Sequence, residues 1–150
     1  MTVGISRTLA PWRGKSAARE VEALLLRAVA GARRWIYLEN QYVTAPALRE
    51  ATRAPILLHP DDRPLWELTH KDDLWDVDLV DGQQIVVGGT TLVVRHTPGH
   101  APGAVCLYAA DLGCVFTGDT LFHGGPGATG RSWSDPELIV RSIRSRLFNL

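Results

Sequence analysis

The residues best suited to chemistry gather in one stretch of this chain. His100 lies in Arg95-His96-Thr97-Pro98-Gly99-His100-Ala101-Pro102-Gly103, and Asp119 follows one hairpin later in Phe116-Thr117-Gly118-Asp119-Thr120-Leu121-Phe122. Imidazole and carboxylate are donors that zinc accepts, and an aspartate can bridge two ions. Strand direction is what brings them together. If the segment from Thr91 to Arg95 runs up a sheet, the loop with His100 lies at its top. The next strand descends to a turn at Asp111-Leu112-Gly113, and the following one rises to Asp119. Both side chains then end on one edge, on a loop stiffened by Pro98 and Pro102. Two donors hold a cation weakly, since a catalytic zinc ordinarily takes three protein ligands and a water. The same spacing also fits a loop histidine and a turn aspartate that cap backbone groups. His96 is four residues before His100, but Pro98 and Gly99 forbid the helix that would put both on one face.

The positioning elements follow from periodicity. Ile85-Val86-Val87 and the run from Thr91 to Arg95 are β-branched strands around a Gly88-Gly89 turn. Two more strands are expected, from Ala104 to Ala109 and from Cys114 to Gly118. Ser134 or Asp135 can cap a last helix with Pro136 in its first turn and Leu138, Ile139, Ile143 and Leu147 on one face. Ahead of these, Pro55 ends any helix and Ile56-Leu57-Leu58 starts a strand, with a short helix from Asp62 to Leu68. The first third reads as a helix from Ser16 to Gly31, a strand from Arg34 to Glu39 and a brief helix from Thr44 to Ala51. A change of composition near Thr52 divides the chain into residues 1–51 and 52–150.

Bulk properties narrow the field. The chain has 150 residues, 45% hydrophobic and 21% charged, with zero formal net charge. One modest core is affordable, and no overall field favours nucleic acid or an anionic membrane. Arginines dominate before Thr52 and aspartates crowd the middle, which marks two faces or two origins. Cys106 and Cys114 are too few for a disulfide framework, and no apolar run has signal-peptide or membrane-span length. A cytoplasmic protein is expected, with a small-molecule substrate and neither nucleic acid nor membrane as partner.

From about Pro55 to Leu150 the blocks His-Thr-Pro-Gly-His100, Gly118-Asp119-Thr-Leu-Phe and Gly-Gly-Pro-Gly-Ala-Thr-Gly-Arg131-Ser occur in order. This resembles the middle and later part of metallo-β-lactamase-fold hydrolases of the hydroxyacylglutathione hydrolase (glyoxalase II) type. The resemblance implies an α/β chain holding the later half of a two-sheet sandwich. It also implies that His100 binds one metal ion and that Asp119 bridges two. The ions would be zinc, with iron or manganese as alternatives, and the reaction hydrolysis of an ester, thioester or lactam. Arg131, in the glycine-rich loop beside that edge, is the residue expected to orient a substrate anion. The pattern departs from the family in two respects. The five histidines are His59, His70, His96, His100 and His123, none forms a His-x-His-x-Asp-His motif, and the last metal histidine of the family has no counterpart before Leu150. An incomplete hydrolase is expected. The alternative is a non-enzymatic hybrid fragment that self-associates, as a homodimer, or pairs with a complementary chain through an exposed sheet face.

The first third carries Ser6-Arg7-Thr8-Leu9, Val21-Glu22-Ala23-Leu24 and Trp35-Ile36-Tyr37-Leu38-Glu39-Asn40-Gln41-Tyr42. These resemble the stretch of phospholipase D-like proteins between their two catalytic motifs. The motifs themselves, His-x-Lys-x-x-x-x-Asp, are absent, so phosphodiesterase chemistry is not expected. Other motifs fall away on context. Gly14-Lys15-Ser16 lacks the glycine and strand of a phosphate loop, and Gly125-Pro126-Gly127-Ala128-Thr129-Gly130 opens no helix. His123 reads as an exposed loop residue, and the five tryptophans are dispersed as packing residues.

Overall fold

The computed structural model describes residues 53–71 and 73–150, together with the backbone of two short strands, Thr8–Leu9 (β1) and Ala18–Arg19 (β2). These two pair antiparallel, with Thr8 opposite Arg19. Ala18 and Arg19 fall inside the helix expected from Ser16, so it does not begin there. Strand pairing overrides the weak helical preference of a segment with no apolar anchor before Val21. The remaining elements expected before Thr52 lie outside the described residues. Two compact units divide the chain; β1 and β2 belong to the first, and Pro55–Leu150 to the second.

In the second unit the β-branched runs form Gln84–Val87 (β5) and Thr90–His96 (β6), paired antiparallel with Val87 opposite Thr90. Gly88 and Gly89 both have positive φ, 58° and 90°, the two-residue turn whose twist matches its strands. Val105–Ala109 (β7) and Cys114–Phe116 (β8) complete a meander in the order β5-β6-β7-β8. Between them a 3₁₀ turn, Ala110–Leu112, closes on Gly113. β8 stops two residues before the expected Gly118. Thr117 turns the chain there: its hydroxyl donates to the Leu121 carbonyl at 2.7 Å and its carbonyl accepts from the Thr120 N–H at 3.0 Å. Asp119 therefore sits in a turn rather than at a strand end. A short hairpin, Leu121–Phe122 (β9) with Gly125–Pro126 (β10), follows.

The register assigns side chains to faces. Val93, Arg95, Cys106, Tyr108 and Val115 share one face, while Leu92, Val94, His96, Leu107 and Ala109 share the other. The first face is covered by Pro136–Arg146 (α2), whose Ile139 and Ile143, with Leu147 just beyond, cluster around Cys106, with Val115 and Leu121 packed alongside. Asp135, one of the two expected caps, accepts from the Glu137 and Leu138 N–H groups at 2.9 and 2.8 Å. Arg144 and Arg146 lie in the last turn, where the helix dipole favours cations. Asp135→Ala is expected to cost about 1 kcal/mol, read as a melting temperature lower by roughly 4–8 °C. Ser134 is held elsewhere: its Oγ accepts from the Gly130 and Arg131 N–H groups.

On the other face Leu92, Val94 and Ala109 are buried. Leu57–Leu58 (β3) pairs parallel with Val77–Asp78 (β4), and Arg63–Thr69 (α1) lies between them in sequence, one residue later than expected. Trp66 and Trp75 meet edge-on at 6.0 Å and donate their indole N–H groups to the Asp73 carbonyl and the Asp78 carboxylate. Both are buried, as expected of packing residues, whereas Trp133 is 49% exposed and Trp12 and Trp35 lie outside the described residues. The class is mixed α/β.

Candidate metal centre

His100 and Asp119 meet at the end of the sheet where β6 stops, with His100 Nε2 3.5 Å from Asp119 Oδ2. The two side chains are 16% and 38% exposed, so the pair faces solvent from a half-buried setting. The other imidazole nitrogen, Nδ1, lies 2.8 Å from the Ala128 carbonyl oxygen. A carbonyl only accepts, so Nδ1 carries a proton, and Nε2 is the nitrogen directed toward Asp119. That is the arrangement by which proteins orient a metal-binding histidine. The donors suit a divalent ion in type, and they supply two of the three or four that a stable site needs.

The His100 loop is held from several sides. The Gly99 carbonyl accepts from the Asp135 N–H at 2.7 Å, and the Pro98 carbonyl from the Ser142 hydroxyl at 2.8 Å, so the start and middle of α2 both grip it. Gly99 has φ +136°, and a Cβ there would run into the backbone N and Cα of Ile139. Beneath the loop, buried Thr97 and Thr120 share a hydroxyl hydrogen bond of 3.0 Å, and Cys106 Sγ lies 3.3 Å from Thr97 Oγ1. This polar core bolts the His100 loop to the Asp119 turn. Gly127 packs against that turn from the other side, where a Cβ would meet the Asp119 carbonyl. Neither threonine was singled out by sequence. The signal was their place beside the two motif residues.

A second group of donors was also missed. His59, Asp61 and His96 place one ligand atom each within 4.8 Å of the others, a set that could hold a metal ion. As it stands the imidazole rings stack 4.0 Å apart and 12° from parallel, with His59 Nδ1 and His96 Nε2 3.7 and 3.9 Å from Asp61 Oδ2. His96 Nε2 is 2.9 Å from the Pro102 carbonyl, to which it donates. Burial, and next the neighbouring His96, hold the His59 pKa below its ordinary value. Burial pushes the Asp62 pKa up, against the lowering effect of the Gly103 N–H that its Oδ1 accepts at 2.7 Å.

Arg131 is exposed in the loop after Ala128, its backbone N–H bonded to Ser134. His123 is exposed, and His70 stacks on Trp66 at 4.0 Å. No described helix is long and apolar enough to cross a membrane.

The family model that matches this chain spans the site. The model of the metallo-beta-lactamase superfamily matches residues 43–147. A probable metallo-hydrolase of Bacillus subtilis, YqgX, is 37% identical over 73 residues, 48% of this chain and 35% of that protein. The hydroxyacylglutathione hydrolase GloC of Haemophilus influenzae is 36% identical over 70 residues, covering 47% and 33%. Human mitochondrial persulfide dioxygenase ETHE1 is 33% identical over 75 residues, covering 50% and 30%. The matched part thus spans about a third of the length of these relatives. Among solved structures, TTHA1623 in a di-iron-bound form has a TM-score of 0.63 at 27% identity, covering 94% of this chain and 84% of that one. The phospholipase D-like resemblance of residues 3–48 gains no support from these similarities. With the family model matched over most of its length, the chain belongs to the metallo-beta-lactamase superfamily.

Proposed function

We propose that this chain contributes His100 and Asp119 to the metal centre of a hydrolase acting on an ester or thioester. The observation that carries the reading is the orientation of His100, whose Nδ1–H is tied to the Ala128 carbonyl at 2.8 Å while Nε2 faces the Asp119 carboxylate at 3.5 Å. The family and the di-iron form of TTHA1623 support a metal there; zinc, iron and manganese all accept this donor pair. Such an ion would supply Lewis-acid activation of water and of a carbonyl. The chain's own residues do the rest: His100 and Asp119 hold the ion, the Thr97–Thr120 bond keeps their spacing, and Arg131 pairs with an anionic group of a small-molecule substrate. Two donors leave further coordination positions, which other residues or a partner chain would complete. Cys106 and Cys114, which form no disulfide, suit a reducing compartment and hence the cytoplasm.

Elemental mass spectrometry on the purified chain, paired with hydrolysis of a glutathione thioester, tests the reading. One or more tightly held ions per chain and metal-dependent thioester cleavage are expected. A metal-free chain that gains no hydrolysis on adding zinc, iron or manganese would leave the non-enzymatic hybrid fragment as the better account. Metal-dependent oxygen consumption on a persulfide instead of hydrolysis would align the chain with its ETHE1 relatives.

A further inference from the structure

We propose that the stacked His59–His96 pair is an acid-sensitive clamp that positions the loop carrying His100. Two hydrogen bonds run from this cluster to consecutive loop residues. His96 Nε2–H donates to the Pro102 carbonyl at 2.9 Å, and the Gly103 N–H donates to Asp62 Oδ1 at 2.7 Å. The loop sits hard against that carboxylate, for a Cβ on Gly103 would stand 2.6 Å from Asp62 Cγ. Asp62 belongs to the 3₁₀ turn Pro60–Asp62, and this turn is capped by His59, whose Nδ1 accepts from the Asp61 N–H at 3.3 Å. His59 thus serves both bonds at once: its ring supports the ring of His96, and its lone pair supports the turn that aims Asp62.

Both tasks require neutral imidazole. A proton on His59 Nδ1 removes the acceptor for the Asp61 N–H and sets a cation 4.0 Å from the His96 ring. The charged groups around the pair are Asp61, Asp62 and Asp78, which favour protonation, with Asp81 bound to the His96 N–H and bridged to Arg146 of α2 at 3.1 Å. Burial and His96 outweigh the carboxylates at His59, whose pKa is lowered. The sign follows from linkage. Between that lowered value and the ordinary 6.5, the open or unfolded chain binds more protons than the clamped one. The clamp is therefore complete above 6.5 and weakens as pH falls below it. His59 and His96 act through the loop and are positioning residues.

The clamp does not depend on His100 being a metal ligand, so it is read on metal-free protein. Amide hydrogen exchange at Gly103 and Ala104, corrected for intrinsic rates, is followed from about pH 7.5 to about pH 5.5, either side of the ordinary histidine pKa. Protection in the wild type is expected to fall at least about threefold across that range. In His59→Phe, which keeps a stacking ring without a titrating nitrogen, protection is expected to be nearly pH-independent. Should that variant fail to fold, Asp62→Asn serves: its amide oxygen still accepts from Gly103, and the acid response is expected to persist because His59 still titrates. A pH-independent wild type, or an unaltered acid response in folded His59→Phe, overturns the clamp. An Asp62→Asn variant without the response overturns it as well, by making the carboxylate the titrating group.

Discussion

Gly99→Ala is expected to be strongly damaging, costing about 3 kcal/mol or more. Two costs add. At φ +136° an L residue is strained whatever the space, and here the new methyl group is also driven into the backbone N and Cα of Ile139. Ile139 is 1% exposed and belongs to the cluster with Cys106, Ile143 and Leu147, so it has no room to retreat. Either the loop lifts, breaking the 2.7 Å bond from the Asp135 N–H to the Gly99 carbonyl, or α2 shifts off the sheet. Thermal unfolding should show a fall of more than about 12 °C, at 4–8 °C per kcal/mol for a domain of this size. Gly89→Ala is the matched control. Gly89 also has positive φ, but nothing lies within 4 Å of an added Cβ, so only the strain of about 1 kcal/mol remains. Equal melting temperatures for the two variants would show that α2 does not press on the loop as described.

Asp119→Ala is expected to lower metal affinity by at least about 100-fold while leaving the fold intact. The magnitude has a floor, because loss of a group that merely orients a metal ligand already costs roughly 10–100-fold. Asp119 would contribute the one negative charge of the pair. Its side chain is 38% exposed, and the turn around it is held by Thr117, Thr120 and the Gly127 N–H, not by its carboxylate. His100→Ala is a less clean probe, since it also frees the Ala128 carbonyl. Competition against a chromophoric chelator, with circular dichroism as the fold check, reads the effect. Unchanged affinity in a folded Asp119→Ala protein would show that this carboxylate is not a ligand.

The sequence by itself determined what is local. Runs of β-branched residues, Gly88-Gly89, Gly113 and Asp135-Pro136 specify strands, turns and a capped helix through bonds between near neighbours, and the structure has them within a residue or two. Because the meander alternates in direction, the meeting of His100 and Asp119 was legible as well. It needed only the order of the strands, each joined to the next by a short turn. What sequence could not supply is which distant groups come to lie against that edge. Thr97 and Thr120 bond across 23 residues, and Gly103 and Asp62 across 41. The stack of His59 on His96 likewise joins the turn after β3 to the end of β6. No periodicity encodes such pairings, because they depend on how the turn after β3 comes to lie against the end of β6 and how α2 packs on the sheet. The nearness of His100 and Asp119 was therefore readable in the chain, while the groups that hold their loop and turn were decided by tertiary packing.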